Sequence, residues 1–164
     1  MASYNEGKEE AIKWICANFS KGSTCLDVGA CDGKWSDLLG DYLIMDAVEA
    51  WRPYIEKNNL IDKYRAVFEC EIQNFKYKRY DLIIFGDILE HMSADHARRV
   101  IEYAWPRCKN MVIAVPYQYR QGPKNGNPYE VHIQDDLTPE LFNERFPGFV
   151  TIYQSEQYAY YVKA

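Results

Sequence analysis

Three stretches of this chain place reactive side chains at spacings that do chemistry. The first is Leu26-Asp27-Val28-Gly29-Ala30-Cys31-Asp32-Gly33, an acid followed by a glycine turn. Glycines let a backbone approach a ligand closely and adopt positive φ. If a helix follows, its free N–H groups attract a carboxylate or phosphate. The second is Glu49, about 20 residues after Gly29, whose carboxylate is shaped to accept two hydrogen bonds from vicinal ribose hydroxyls. Asp46 is its nearest rival and falls earlier in the same segment. The third comprises His91 and His132, imidazoles able to take a proton near neutral pH. The acid, the glycine turn and the helix start after it imply a site for a charged small molecule. His96, within an expected helix, reads as solvent-facing.

Two common phosphate-binding motifs are excluded by position. A dinucleotide fingerprint needs glycine at the first, third and sixth places. Counted from Gly29, those places hold Cys31 and Lys34 instead. A P-loop needs Ser or Thr after Gly-Lys, but Trp35 follows Gly33-Lys34.

The elements that must position these residues alternate between strand and helix, which predicts a parallel α/β sheet. A helix is expected from Asn5 to Phe19, with Ile12, Ile15, Cys16 and Phe19 on one stripe. Strands are expected at Thr24–Val28, Tyr42–Val48, Ala66–Cys70, Tyr80–Gly86 and Met111–Val115. The run at Tyr80–Gly86 is continuously apolar, as in a central strand covered on both faces. Helices are expected from Lys34 to Gly40, from near Trp51, from a Ser93 cap to Trp105, and from Thr138-Pro139. Residues 116–136 carry three Pro, two Gly and two Asn and form a long loop, a length that is usually functional. The chain ends in an antiparallel hairpin, 149–154 and 157–162.

The pattern Asp-x-Gly-x-x-x-Gly at 27–33 resembles motif I of class I S-adenosylmethionine-dependent methyltransferases, which often carry glycine where Cys31 stands. The run Tyr80 to Met92, with Leu89-Glu90-His91, resembles small-molecule members of that family. The resemblance implies a three-layer Rossmann-like fold, a seven-stranded mostly parallel sheet with a C-terminal antiparallel hairpin, over the single domain 1–164 (N-terminal helix within 1–21). It implies S-adenosylmethionine as cofactor and S-adenosylhomocysteine as product. The expected cofactor residues are Asp27, Gly29, Ala30, Cys31 and Gly33, with Glu49 and Ala50 at the ribose. Asp27 is expected to act indirectly, by fixing the loop or reaching the ammonium. An acid at the adenine amino group is expected from either Glu69 or Glu71; alternation favours one, and Glu71 is preferred, with Cys70 beside the ring. Gly86, Asp87 and Ile88 are expected at the methionine part, with Leu89 walling the site. Asn127-Pro128-x-x-x-His132 before Thr138-Pro139-Glu140 resembles a stretch of some sugar and quinone O-methyltransferases. Tyr117, Tyr119, Tyr129 and His132 are therefore expected to line an acceptor pocket. No metal-ligand cluster stands out, so a metal-independent transfer is expected, to oxygen on a sugar- or quinone-like metabolite.

Composition narrows the alternatives. The 164 residues, 48% apolar with 14 Tyr, 7 Phe and 4 Trp, fit one packed domain. No apolar run approaches the roughly 20 residues of a membrane helix. The net charge of −5 and the lack of a basic stripe disfavour nucleic acid, with Lys76 to Arg79 read as a solvated turn. The five cysteines are odd in number and widely spaced, against a disulfide framework. The polar N-terminus predicts no leader and hence the cytoplasm. A small-molecule acceptor and a monomer or homodimer are expected, the hairpin being a possible interface. The competing readings are a non-catalytic cofactor-binding subunit, a nucleotide-dependent oxidoreductase and a methyltransferase acting on RNA or protein. Against the last, the Asn/Asp-Pro-Pro-Tyr/Phe signature of amino-methylating enzymes is absent where Gly86-Asp87-Ile88-Leu89 stands.

Overall fold

In the computed structural model, residues 5–163 are described. Residues 1–4 and 164, the outer edges of the expected domain and N-terminal segment, lie outside them. The chain runs α1 (Lys8–Asn18), β1 (Thr24–Val28), α2 (Lys34–Leu39), β2 (Ile44–Glu49), α3 (Arg52–Lys57), α4 (Leu60–Lys63), β3 (Ala66–Glu69) and β4 (Tyr80–Gly86). It continues through α5 (Ala94–Ala104), β5 (Cys108–Pro116), α6 (Pro139–Arg145), β6 (Val150–Gln154) and β7 (Tyr158–Lys163).

The strands form one sheet in the order β3-β2-β1-β4-β5-β7-β6. Pairs from β3 to β5 are parallel, and β7 inserts antiparallel between β5 and β6. Alternation along β4 divides the core. Ile83 and Phe85 pack with Val100, Ile101 and Ala104 of α5 and Phe142 of α6. Leu82 and Ile84 pack with Ala11 and Ile15 of α1 and with Trp35 and Leu39 of α2. Helices thus cover both faces, which is why β4 carries the apolar run Leu82–Phe85.

The topology fixes where a ligand can sit. After β1 the chain winds outward through β2 to β3, then returns to place β4 on β1's other side. At this reversal the connections after β1 and β4 leave in opposite directions and open a crevice beyond the strand ends. Gly29 follows one strand and Asp87 the other.

The elements differ from expectation at a few ends. β5 begins at Cys108 rather than Met111, because Cys108 and Asn110 pair with Tyr80 and Leu82 at the start of β4 despite their polar neighbours. β2 begins at Ile44, since Tyr42 sits in a turn and its hydroxyl donates to the Phe19 carbonyl at 2.7 Å. α4 is a single short turn without a periodic signal. Cys16 is exposed, so the buried stripe of α1 runs through Ala11, Ile15 and Phe19 instead. Ser93 and Thr138 cap α5 and α6 through their hydroxyls.

Residues 117–137 form the expected long loop, broken by one 3-10 turn at Pro128–Glu130. The loop is tied to the turn at Leu89–His91 that follows β4. The Glu90 carbonyl accepts both the Ile133 and the Gln134 amides, at 2.7 and 3.0 Å, and the Gln134 side chain donates to Leu89 O at 2.8 Å. These bonds lay the segment across the crevice mouth. No helix among the described residues is long and apolar enough to cross a membrane.

Candidate active site

The crevice is an open cleft of about 1090 Å³, its mouth to solvent included. The turn after β1 forms one wall. Gly29 has φ +74°, and a Cβ there would stand 1.9 Å from Ile88 Cδ1, so the close approach of two loops requires glycine. Cys31 also adopts positive φ, +48°, at the position where the resembling family often has glycine. Its backbone amide donates to Glu49 Oε2 at 2.9 Å, and the Trp51 amide donates to Oε1 at 2.8 Å. Glu49 is 6% exposed. Burial raises its carboxyl pKa, and the two amides counter that only in part. A carboxylate has about four acceptor positions, so two remain for a ligand.

Asp27 and Gly33 do not reach the cleft wall. Asp27 lies beneath the turn and accepts the Tyr64 hydroxyl at 2.5 Å. Burial pushes its carboxyl up to about 7. Gly33, at φ +77°, starts α2 and faces Lys63. Asp46, the rival of Glu49, points elsewhere: it is buried against Arg65, at 2.8 and 2.7 Å, and against the Tyr80 hydroxyl at 2.9 Å. That pairing explains an acid inside β2 and leaves Glu49 as the β2 acid at the cleft.

Ala30, Ala50, Cys70, Glu71, Gly86, Asp87 and Ile88 all line the cleft. Glu71 faces it and accepts the Tyr129 hydroxyl at 3.4 Å, whereas Glu69 reaches outward to Arg52 at 3.4 Å. Asp87 has φ +56°, as a turn at a strand tip requires, and Oδ1 accepts the Tyr158 hydroxyl at 2.6 Å. Its Oδ2 is buried with no hydrogen-bond partner among the described residues. Burial pushes this carboxyl up to about 6. Across from it, the Lys8 ammonium of α1 lies 4.4 Å from the Trp35 ring centre, buried and in the fields of Asp87 and Asp27.

His91 and His132 meet on the opposite side, ring centres 4.7 Å apart and nearly perpendicular. Nδ1 of His91 lies 3.2 Å from Val131 O, and Nδ1 of His132 lies 2.7 Å from Tyr119 O. A carbonyl oxygen only accepts, so each Nδ1 carries the proton and each Nε2 keeps its lone pair. Burial, then the neighbouring His132, pushes His91 down to about 4; burial likewise lowers His132. Glu90, beside them, is 1% exposed, and burial holds its carboxyl well above the usual range.

The three expected acceptor tyrosines separate. Tyr129 lines the cleft. Tyr119 does not; it acts on His132 through its carbonyl and an edge contact with ring centres 5.4 Å apart. Tyr117 turns away, buried with its hydroxyl against that of Tyr161, because β5 and β7 pair alongside it. The sequence reading gave no role to Trp35, Tyr54, Glu90, Asn127 or Glu130, all on the wall. The Tyr54 hydroxyl donates to Glu130 at 2.9 Å, an ordinary-looking helix residue meeting a loop acid 76 positions away. The signal available for Glu90 was its place in Leu89-Glu90-His91.

No protein-family model and no curated protein matches this sequence. Solved structures do. A methyltransferase from Clostridium acetobutylicum described as S-adenosylmethionine-dependent superposes with TM-score 0.72 at 10% identity, over 98% of this chain and 91% of that one. A DhpI–SAH complex gives TM-score 0.74 at 14% identity, over 96% and 83%. The Burkholderia thailandensis 1,6-didemethyltoxoflavin-N1-methyltransferase, with its substrate and S-adenosylhomocysteine bound, gives 0.69 at 16%, over 94% and 75%. By strand order, hairpin placement and these superpositions, the chain has the Rossmann-like fold of the class I S-adenosylmethionine-dependent methyltransferases.

Proposed function

We propose that this protein transfers a methyl group from S-adenosylmethionine to a small-molecule acceptor, through an acceptor oxygen of a sugar- or quinone-like compound. The observation that carries the reading is the cleft at the β1/β4 reversal. There a turn with φ positive at Gly29 and Cys31 is clasped by Glu49, opposite an Asp87 carboxylate oxygen that has no hydrogen-bond partner among the described residues.

In this reading Glu49 grips the ribose hydroxyls with its remaining lone pairs, and Ala50 lies beside them. Glu71 accepts from the adenine amino group, with Cys70 against the ring. The Gly29–Cys31 turn and Gly86 frame the methionine tail. Asp87 Oδ2 takes the α-ammonium, and Lys8 faces the α-carboxylate. Asp27 and Gly33 serve indirectly by setting the turn. The acids around the cleft suit a ligand bearing a sulfonium and an ammonium.

The sulfonium makes the methyl carbon electrophilic without help, so the protein's task is orientation and electrostatics. Transfer is an in-line displacement, which puts the acceptor on the His91–His132 side, under Tyr129. Nε2 of either ring is a lone-pair donor: a base toward a hydroxyl proton, a ligand toward a cation. His91→Ala and His132→Ala are expected to lower turnover greatly while S-adenosylhomocysteine affinity stays near wild type. The non-catalytic alternative lacks a supporting observation, since it leaves these two held imidazoles without a task. Transfer of labelled methyl to a panel of hydroxylated and amino metabolites tests the proposal. Label in an oxygen ether of one compound is the expected result. Cofactor binding with no transfer to any class would favour the non-catalytic reading.

A further inference from the structure

The Glu90 carboxyl is the one side chain among the described residues with two buried oxygens that both lack a hydrogen-bond partner. It is 1% exposed. A buried carboxyl so placed is stabilised as a carboxylate when a cation or donor meets it. Donor atoms of His91 and His132 stand beside it: one atom from each of the three residues lies within 4.8 Å of the other two. We propose that Glu90, His91 and His132 form a binding site for a first-row divalent cation, and that the acceptor's oxygen completes its coordination.

The second support is the state of the histidines. Each is held by Nδ1 to a backbone carbonyl, Val131 O for His91 and Tyr119 O for His132. That is the outer bond that orients a metal-ligating imidazole, fixing its tautomer and leaving Nε2 to the ion. The distances are within reach. A point equidistant from three atoms 4.8 Å apart is about 2.8 Å from each, so shifts under about 1 Å give metal–nitrogen bonds of about 2.1 Å. Two imidazoles and one carboxylate select zinc, cobalt, manganese or iron over magnesium, which prefers all-oxygen cages. Three protein ligands leave open positions, as a catalytic rather than a structural site does. The 117–137 loop, docked on Glu90 O through Ile133 and Gln134, brings His132 to the other two ligands.

The role in transfer rests on the function proposed above; the site itself does not. A coordinated hydroxyl is acidified by the ion and loses its proton to solvent water. The oxygen lone pair then bonds the methyl carbon as the carbon–sulfur bond breaks, its electron pair passing to sulfur. The histidines hold the ion instead of taking the proton.

Calorimetric titration of chelator-stripped protein with Zn²⁺ and Co²⁺ tests the site, with the visible spectrum of bound Co²⁺ as an independent readout. One equivalent is expected to bind, with Co²⁺ showing nitrogen/oxygen ligand-field bands. His132→Ala and His91→Gln, each checked for cooperative unfolding, are expected to weaken binding about 100-fold or more. Absence of binding to wild type, or unchanged binding in both variants, would overturn the site. Full turnover of stripped enzyme would overturn its part in transfer. S-Adenosylhomocysteine titrated into the same stripped protein separates the two proposals, since its binding needs no ion.

Discussion

The Glu49 carboxylate accepts the backbone amide of Cys31 at 2.9 Å, so the end of β2 holds the turn that follows β1. Its other oxygen accepts the Trp51 amide, so one side chain ties the turn after β1 to the start of the β2–α3 connection. Glu49→Gln replaces one acceptor oxygen with a donor and leaves a buried amide unmet. The expected cost is about 1–3 kcal/mol in urea unfolding, with S-adenosylhomocysteine affinity lower by about tenfold or more in calorimetry.

Asp46 provides the contrast on the same strand. Its three bonds go to Arg65 and Tyr80, away from the cleft. Asp46→Asn is expected to lower stability by about 1–3 kcal/mol while ligand affinity is unchanged at temperatures where the variant is folded. An affinity loss matching that of Glu49→Gln would remove the distinction between the two acids.

Gly29→Ala puts a Cβ where Ile88 Cδ1 now stands, at positive φ. The backbone conformation alone costs a non-glycine residue about 1–2 kcal/mol. Ile88 must also rotate into the cleft it lines. The variant is therefore expected to fold with reduced melting temperature and to bind S-adenosylhomocysteine poorly. Cys31→Gly, already at positive φ, is expected to be neutral or mildly stabilising by the same measurements.

Asp27 makes stability fall as pH rises. Its folded carboxyl is pushed up to about 7, chiefly by burial. The unfolded value is about 3.9, so the folded state binds the proton more tightly. The stability tied to that proton is fully present below about pH 4 and lost as pH climbs through about 7. Three pKa units correspond to on the order of 4 kcal/mol. Urea unfolding of wild type and Asp27→Asn between pH 5 and 8 should show profiles that converge on Asn's flatter one at low pH. Parallel profiles would contradict this.

What could be read in the sequence follows from how locally each feature is encoded. β4 is buried on both faces and shows as the apolar run Leu82–Phe85, and α5 and α6 announce themselves through Ser93 and Thr138-Pro139. Glu49, Glu71 and Asp87 sit at or just past the C-terminal ends of β2, β3 and β4, which the parallel pattern places along one edge of the sheet. The far side of the cleft is built by a loop crossing back over the sheet, and there the reading weakens. Nothing local distinguishes Tyr117, which turns into the β5–β7 core, from Tyr129, which faces the cleft. Nor does Lys8 look different from other helical lysines until α1 packs on Trp35. Glu90 is polar in an apolar run, but its isolation is a property of the docked loop and not of its neighbours in sequence.

Titration of S-adenosylhomocysteine into the folded wild-type protein bears most directly on the account. Saturable one-to-one binding that is weakened by Glu49→Gln and not by Asp46→Asn is the result it predicts. No heat and no thermal stabilisation at millimolar ligand, with the protein natively folded, would contradict it.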